Sequence, residues 1–414
     1  MISIFESEIY LLSAARTPIG RFLGALSPYS AVILGGKAIE GALRRAGVDP
    51  AEIGMVTMGC VVTSGMGESP AKQAALLAGI PATVCSKTVE SVCGSAMEAV
   101  VSTADAITLG RIGAGVAGGM ESRTNAPFLL ENKFFRAGAH YAKGGRLKVK
   151  KSGAYRFQFS ENIEEQAQIS SIVDATAYDG LFWPPEKKFM REYAMDFAKA
   201  GKIPLEAVNE QAALSHEKAR EAQAGGFFDE EIIPLDGVVK DELVSDEDLN
   251  DLREAARQDI AGGFNTSIPA DNGSAVILAG RSFVSSRSLK PVARLLGFSR
   301  VDRPAADFID SPVEAIGILL EALDKSGHPE SRFEILEINE AFGIQMPVFT
   351  AAFPGRKINV NGGAIALGHP LGAAGARLLV TLVHVLRRLR TSCGIVSICF
   401  GGGGAIALAV EMIE

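Results

Sequence analysis

The chain has 414 residues, of which 47% are hydrophobic and 21% are charged, and its formal net charge is -7 at pH 7. This composition predicts a globular chain of two or three domains and excludes a disordered or collagen-like protein. The acidic balance argues against nucleic acid or an anionic membrane as a partner, because both need a clustered positive surface.

The sequence shows no targeting segment and no membrane span. The N-terminus lacks a basic region followed by a long apolar core, and no apolar run reaches the ~18 residues that a transmembrane helix needs. The five cysteines are odd in number and form neither a Cys-x-x-Cys pair nor a metal-ligand spacing with a nearby histidine. We therefore expect a cytoplasmic protein with no metal site and no integral-membrane part.

The first part of the chain alternates strand-like and helix-like segments. Residues 8–14 (EIYLLSA) predict a strand, residues 30–47 (SAVILGGKAIEGALRRAG) an amphipathic helix ended by glycine, and residues 55–62 (MVTMGCVV) a second strand. Such alternation is typical of an α/β fold with a largely parallel sheet. We assign residues 1–123 to this first domain.

The character of the chain changes after residue 123. Residues 124–261 carry clusters of charge, most of the aromatic residues and the single tryptophan, Trp183, which predicts an inserted, irregular, partly helical segment. The helix-like residues 311–327 and the strand-like residues 333–339 then resume the α/β pattern. We expect residues 262–285 to complete the first domain and residues 286–414 to form a second.

A weak internal repeat predicts that the two domains are similar. A helix beginning near Cys93 leads to the glycine-rich strand AGVAGGMES, and a helix beginning near His369 leads to GIVSICFGGGGAIALAVE. The first strand contains the pattern Gly-x-Gly-x-x-Gly (residues 113–118). Because it follows a helix and does not open one, we reject a dinucleotide site there.

Cys93 is a candidate nucleophile. It follows Val92 and precedes small residues at the start of an alanine-rich helical stretch. A thiol at a helix N-terminus faces unpaired backbone N–H groups and the positive end of the helix dipole, which lower its pKa and favour the thiolate. Taken alone, Cys93 also fits a small buried residue before a core helix.

Three further positions carry possible chemistry. His369 lies between glycine and proline and can act as a base near neutral pH, or else as a structural histidine. Cys399 ends an apolar strand-like run before four glycines, which suits either a ligand that passes close to the backbone or a tight turn with a buried cysteine. Asn339 follows another strand-like run, as functional residues do in α/β proteins, although it also fits a helix cap.

The chain resembles the thiolases, the acyl-CoA C-acyltransferases, along nearly its whole length. The motifs that carry the resemblance occur in the same order: SAARTPIGRF (13–22), SVCGSAMEAV (91–100), AGGMESRTNAP (117–127), NEAF (339–342), NVNGGAIALGHPLGAAGAR (359–377) and CFGGGGAIA (399–407). The resemblance implies a five-layer αβαβα fold of two similar α/β domains, with an inserted loop domain that covers coenzyme A. It also implies CoA-dependent cleavage of 3-ketoacyl-CoA, or the reverse Claisen condensation, by ping-pong chemistry without a permanently bound cofactor.

The matching motifs imply a role for each candidate residue. Cys93 would take the acyl group, and His369 would activate it. Cys399 would protonate the leaving acetyl-CoA carbanion in cleavage, or remove the α-proton in condensation. Asn339 would hold a water that forms one oxyanion hole with His369, and the backbone amides of Cys93 and Gly401 would form the other.

The implied coenzyme A contacts are Ser267 on the pantetheine arm, Phe189 and Met190 in the cover loop, and Phe342 of NEAF. The chain departs from the family pattern at Glu90, where an asparagine is frequent. A carboxylate at this position would raise the pKa of Cys93 if it were buried. The chain also departs at Gly226 and Phe228, where basic residues are frequent. The basic run at 143–151, or Lys187 and Lys188, are the candidate replacements for the phosphate contact.

The resemblance leaves alternatives open. The stretch NTSIPADNGSA (265–275) resembles the thiolase subunit of fatty-acid oxidation complexes, which favours degradative 3-ketoacyl-CoA cleavage. A carrier-dependent condensing enzyme is disfavoured by Cys399, because such enzymes lack a cysteine there. The other alternative is a non-catalytic CoA- or lipid-binding paralogue or scaffold subunit. We expect a homodimer or homotetramer, with a fatty-acid oxidation complex as a further partner.

Overall fold

The computed structural model describes residues 1–130, 172–244 and 260–413, and the backbone of two further strands at 146–149 and 155–158. The strands are β1 (Ile2–Arg16), β2 (Gly20–Arg21), β3 (Met55–Gly59), β4 (Cys85–Val89), β5 (Ala114–Ser122), β6 (Phe128–Leu130), β7 (Arg146–Val149), β8 (Tyr155–Gln158), β9 (Ile172–Asp174), β10 (Phe182–Trp183), β11 (Lys188–Phe189), β12 (Ala270–Gly280), β13 (Ala293–Val301), β14 (Ile335–Ile338), β15 (Lys357–Ile358), β16 (Cys393–Phe400) and β17 (Gly404–Met412).

The α-helices of the described residues are α1 (Ala31–Ala46), α2 (Pro70–Leu77), α3 (Ser95–Thr108), α4 (Ala175–Leu181), α5 (Met190–Gly201), α6 (Leu205–Ala224), α7 (Arg281–Arg287), α8 (Ser311–Lys325), α9 (Gln345–Ala352), α10 (Ala364–Leu367) and α11 (Ala374–Leu389). In this part of the chain no helix combines the length and the apolar character that crossing a membrane requires.

Two halves of the chain build the sheet in the same order. The first half runs β1-β12-β5-β3-β4 and the second runs β13-β17-β16-β14-β15. The pairing direction repeats as well, because β3 and β14 pair with both neighbours in parallel, whereas β12 and β17 pair with both neighbours antiparallel. The predicted repeat is therefore confirmed.

The expectation of a largely parallel sheet is wrong. Parallel pairing is confined to three strands of each half, and the remaining pairs are antiparallel. In the second half the reason is local: β16 turns straight back into β17 through three glycines, and a tight turn can join only antiparallel strands. The halves are also joined, because β1 pairs with β12 on one side and with β13 on the other.

The fold has five layers, as the resemblance implied, in which three layers of helices alternate with two layers of sheet. Helices α1 and α2 pack on the outer face of the first half, and α8 and α9 on the outer face of the second. Helices α3 and α11 lie between the two halves, where their apolar side chains share one core with residues of β1, β12, β16 and β17. The two starts of these central helices consequently lie within the protein, and not on its surface.

Helix α1 shows how local sequence fixes one element. Ser30 caps its start by accepting a hydrogen bond from the backbone N–H of Ile33, and Gly47 ends it in the left-handed conformation with φ of 64°. Residues 114–118 of the glycine-rich pattern lie in β5, so the pattern does not open a helix, in agreement with the rejection of a dinucleotide site.

Candidate active site

Cys93 and His369 are in contact although they are 276 positions apart in the chain. The Sγ atom of Cys93 lies 3.1 Å from Nε2 of His369. Cys93 lies between β4 and α3, and His369 lies just before a short 3-10 helix (Leu371–Ala373) that leads into α11. At this distance a proton can pass from the thiol to the imidazole.

A strained turn holds Cys93. Val92 has a φ of 48°, a conformation that β-branched residues rarely adopt. Two side chains fix it: Glu90 accepts a hydrogen bond from the backbone N–H of Val92 at 2.6 Å, and the hydroxyl of Ser95 donates to the Val92 carbonyl at 2.6 Å. The nucleophile is thus positioned by its neighbours in the sequence.

Glu90 does not lie beside the thiol as a buried carboxylate. Its side chain is exposed, and its described contact is the hydrogen bond to the Val92 backbone. The condition under which Glu90 would raise the pKa of Cys93 is therefore not met.

The prediction of a lowered pKa for Cys93 is wrong for the free protein. Burial raises its pKa, and the nearby Cys399 adds to the rise, whereas Arg123 opposes it. Helix α3 begins at Ser95, after Cys93, so the helix start does not outweigh burial. Burial likewise lowers the pKa of His369 to about 3, and the charges of Arg123 and Arg377 act in the same direction. Burial thus favours the uncharged form of both the thiol and the imidazole.

His369 is held by its backbone. Its N–H donates to the carbonyl of Ile268 at 2.8 Å, and it pairs with Pro269 in an isolated bridge. Gly368 has a φ of 91°, and a Cβ there would meet the side chain of Leu243 at 2.4 Å. Glycine before the histidine is therefore required by both conformation and space.

Cys399 lies near the end of β16 and is fully buried. The amide of Gln345 donates to its Sγ atom at 3.4 Å. Burial raises the pKa of Cys399 to about 11, and the hydrogen bond from Gln345 opposes the rise. Gln345 was not among the residues predicted from the sequence. The available signal was a polar residue within the apolar run AFGIQMPVF.

Asn339 lies apart from this group. It follows β14 and is fully buried, and neither polar atom of its side chain has a hydrogen-bond partner among the described residues. It does not line the cavity that contains Cys93. The helix-cap alternative is wrong, because the next helix, α9, begins only at Gln345. The neighbouring Glu340 has a structural role, since its carboxylate accepts hydrogen bonds from a serine, an asparagine and a backbone N–H.

One cavity of about 760 Å³ connects the remaining candidates. Its other walls include Arg123, which the sequence analysis did not select, and apolar side chains such as Leu181, Phe308 and Phe400. The predicted site residues that line it are Cys93, His369, Cys399, Gly401, Ser267, Phe189, Met190 and Phe342. Except for Asn339, the structure brings the predicted set to a single space.

The described candidates for a coenzyme A phosphate contact, Lys187 and Lys188, do not line this cavity. Phe228 is buried and stacks against the guanidinium of Arg16, 5.4 Å from the ring centre. Lys187 and Lys188 are not among its lining residues, and Lys188 forms an ion pair with Asp196. The side chains of the basic run at 143–151 lie outside the described residues.

Comparisons with known proteins agree with this geometry. Residues 9–260 match the family description of the thiolase N-terminal domain, and residues 289–412 match that of the thiolase C-terminal domain. The chain is 35% identical to a cytosolic acetyl-CoA acetyltransferase of Gibberella zeae, with 98% of each chain covered. It is 34% identical to the acetyl-CoA acetyltransferase of Escherichia coli, with 98% of this chain and 99% of the other covered.

Solved structures give the same result. The Acat5 thiolase from Ascaris suum, solved in complex with coenzyme A, superimposes with a TM-score of 0.82 at 31% identity, over 98% of this chain and 100% of the other. The Bacillus anthracis acetyl-CoA acetyltransferase gives a TM-score of 0.84 at 30% identity, over 99% and 100%. These acyltransferases match this chain over nearly their whole length. This chain therefore belongs to the thiolase family of acyltransferases.

Proposed function

We propose that this protein transfers acyl groups between CoA thioesters through an acyl-Cys93 intermediate, and that it cleaves or forms the carbon–carbon bond of 3-ketoacyl-CoA. The observation that carries the proposal is the 3.1 Å contact between Cys93 Sγ and His369 Nε2 in a cavity that Cys399 also lines. A thiol is a soft nucleophile and a good leaving group, which suits thioester exchange.

In the first half-reaction, His369 takes the proton of Cys93 as the thiolate attacks the thioester carbonyl. The carbon–sulfur bond to coenzyme A breaks, and the proton on His369 passes to the departing CoA thiolate. Because burial disfavours both the thiolate and the imidazolium, this proton transfer is best coupled to attack on a bound substrate.

In the second half-reaction of a condensation, Cys399 first releases its own proton to solvent and then, as the thiolate, removes the α-proton of a second acyl-CoA. The carbanion attacks the acyl-Cys93 carbonyl, and Cys93 leaves with the electrons of the carbon–sulfur bond. Cleavage runs through the same steps in reverse, with Cys399 as the acid. The hydrogen bond from Gln345 supports this role because it stabilises the thiolate form of Cys399.

Two groups are proposed to stabilise the oxyanions. The backbone amides of Cys93 and Gly401 form one hole, and both residues line the cavity. Asn339 and His369 form the other through a bound water. This second proposal is supported by the fully buried side chain of Asn339 and the buried Nδ1 of His369, which lack hydrogen-bond partners among the described residues.

The direction and the setting of the reaction are part of the proposal. The likeness to acetyl-CoA acetyltransferases supports short acyl chains as the substrates of this protein. The motif at 265–275 supports the degradative direction. We propose a cytoplasmic location, since relatives of similar length are named cytosolic. A homodimer or homotetramer is proposed from the family resemblance alone.

The test is CoA-dependent cleavage of acetoacetyl-CoA and of a long-chain 3-ketoacyl-CoA, combined with intact-mass detection of the acylated protein. We expect Cys93→Ala to lower the rate of cleavage by at least ~10⁴-fold and to give no acylated protein, because the covalent intermediate cannot form. Cys85→Ala is the matched control, because Cys85 is an exposed free cysteine outside the cavity. If the intact protein neither cleaves these substrates nor becomes acylated, the non-catalytic CoA-binding alternative replaces this proposal.

A further inference from the structure

A buried arginine side chain that has no role in the proposed mechanism lines the cavity beside the two cysteines. Arg123 follows β5 directly and is 4% exposed, and it lines the cavity together with Cys93, His369 and Cys399. Its charge acts on the pKa of both Cys93 and His369, which confirms that it lies close to the reacting pair. Most of the wall around it is apolar.

Arg123 has little support from the described residues. Its Nε donates to the hydroxyl of Thr176 at a long 3.4 Å, and no carboxylate of the described residues forms an ion pair with it. Its two terminal nitrogens have no hydrogen bond in this part of the chain. A buried guanidinium without an anion is costly, so a residue of this kind calls for a specific partner.

The carboxylates whose charges act on Arg123 do not form an ion pair with it. Glu121 accepts hydrogen bonds from the backbone N–H groups of Val61, Val62 and Gly372. Asp174 caps α4 through the N–H of Thr176, and Asp271 accepts from the N–H of Thr124, whereas the other oxygen of Asp271 has no hydrogen-bond partner among the described residues. These acids influence the guanidinium only through longer-range charge. Arg123 therefore lines the cavity with its guanidinium unpaired by any described carboxylate.

Activation of the nucleophile does not account for Arg123. Its positive charge lowers the pKa of Cys93, which favours the thiolate, but it also lowers the pKa of His369, which weakens the base. A charge that shifts donor and acceptor in the same direction does little for proton transfer between them. Since none of the described residues supplies an anion for the guanidinium, a group that arrives with the substrate is the candidate partner.

The position of Arg123 identifies which part of the substrate that is. Once Cys93 is bonded to the acyl carbonyl carbon, a group that lies beside Cys93 and His369 belongs to the acyl chain. The phosphates of coenzyme A lie at the opposite end of the pantetheine arm from its sulfur, and they cannot reach Arg123 while the thioester is at Cys93. The planar, bidentate fork of arginine matches a carboxylate.

We propose that Arg123 binds a carboxylate on the acyl chain, so that the preferred substrates are CoA thioesters of dicarboxylic acids and the corresponding 3-ketoacyl thioesters. The inference rests on the proposed function, because it names the substrate class of that same site. The apolar wall holds the methylene chain, and the guanidinium fixes its charged end.

Acyl exchange with free CoA tests the proposal, because it needs only the first half-reaction. Succinyl-, glutaryl- and adipyl-CoA are compared with butyryl-, pentanoyl- and hexanoyl-CoA, which have the same numbers of chain carbons and no charge. We expect kcat/KM to favour the carboxylated thioester by at least ~10-fold for one or more pairs. A preference for the uncharged thioester in all three pairs overturns the proposal.

Two substitutions locate the effect. Arg123→Met is expected to lower the ratio of charged to uncharged kcat/KM by about 100-fold, because it removes a charged hydrogen-bond donor. Arg123→Lys is expected to give an intermediate ratio, because it keeps the charge without the fork. Arg287→Met is the matched control, since Arg287 pairs with Glu52 outside the cavity. An unchanged ratio in Arg123→Met overturns the proposal.

Thermal unfolding of Arg123→Met gives a readout independent of activity. Because a buried unpaired charge is removed, we expect an equal or higher melting temperature. A lower one would show that Arg123 is a structural residue, which contradicts the proposal. The two proposals fail differently: if no acyl-CoA exchanges at all, the proposed function is wrong, whereas exchange of uncharged thioesters alone refutes only the role of Arg123.

Discussion

The two halves of the molecule make the same connection in two very different ways. In the first half, β5 is joined to β12 by residues 123–269, which include the inserted segment. In the second half, the equivalent strands β16 and β17 are joined by residues 401–403 alone. The long connection supplies Arg123, Met190 and Ser267 to the cavity, and the short one supplies Gly401. The connection in the first half therefore contributes side chains to the cavity wall, whereas the connection in the second half contributes a glycine.

A second comparison concerns the starts of the two central helices. Cys93 lies between the edge strand β4 and α3, and His369 lies between the edge strand β15 and α11. These are equivalent positions of the repeat, and the structure brings them within 3.1 Å of each other. Two copies of one architecture thus give a reactive pair, because one copy carries a thiol and the other an imidazole.

Substitution of Cys399 separates the chemical contributions of the two halves and has the largest effect among the tests that follow. Cys399 belongs to the second half, and Cys399→Ala should lower acetoacetyl-CoA cleavage by about 1000-fold, because the acid and base of the carbon–carbon step is removed. Acetyl exchange between acetyl-CoA and CoA should persist, because it uses Cys93 and His369. Equal loss of both activities would contradict this division of labour.

A pH-dependent effect on stability tests the packing of the two halves against each other. His384 of α11 lies 3.4 Å from the carbonyl oxygen of Ala14 in β1, and burial lowers its pKa to about 4, although Glu230 acts in the opposite direction. Since the folded state disfavours protonation, stability is fully present above the unfolded pKa of about 6.5 and is lost as the pH falls towards about 4.

His384→Gln should reduce that loss by about 3 kcal/mol, because the substituted side chain cannot take up a proton. The measurement is the free energy of unfolding in urea at a series of pH values from above 7 down to 4. A loss as large as that of the unsubstituted protein would show that His384 is not the group that titrates.

Glu121 joins the halves through its backbone contacts. It accepts hydrogen bonds from Val61 and Val62 after β3 and from Gly372 after His369. Glu121→Gln replaces an accepting oxygen with an N–H₂ group that faces donors, so we expect a loss of about 2 kcal/mol in the free energy of unfolding and slower acyl exchange. Glu40→Gln, on the exposed face of α1, is the control. A variant as stable as the control would contradict the role of Glu121.

The smallest effect concerns Gln345. Gln345→Met removes the hydrogen bond that stabilises the Cys399 thiolate, so the pKa of this thiol should rise further from about 11. We expect cleavage of acetoacetyl-CoA to slow about tenfold, with the alkaline limb of the pH profile moved to higher pH. Melting temperatures separate this effect from the loss of the Gln345 contact to the Ile309 carbonyl. An alkaline limb that stays in place would show that Gln345 does not act on Cys399.

Sequence reasoning identified the features that depend on local pattern or on ordered motifs. Helix α1 with its terminal glycine, the repeat and the thiolase family are confirmed, and Cys93, His369 and Cys399 line one cavity as expected. These succeed because capping residues and glycines act on their own neighbours, and because several motifs in order specify a family.

The features that sequence reasoning missed depend on contacts between distant segments. The pKa of Cys93 was expected to fall, but burial by both halves raises it. Gln345 contacts Cys399 although the two residues are 54 positions apart in the chain. Glu90 is exposed, and its carboxylate accepts a hydrogen bond from the backbone N–H of Val92 and does not contact the thiol. Arg123 was not predicted as a site residue, because nothing in the surrounding sequence shows that its neighbours in space are apolar.

Strand β1 has a consequence for how this chain is made. It is synthesised long before its partners, which begin at Ser274 and extend to Ser299. Neither half can complete its sheet until those residues have been synthesised, and pairings between such distant residues form slowly. Strand β1 must therefore stay without its native partners while more than two hundred further residues are added to the chain.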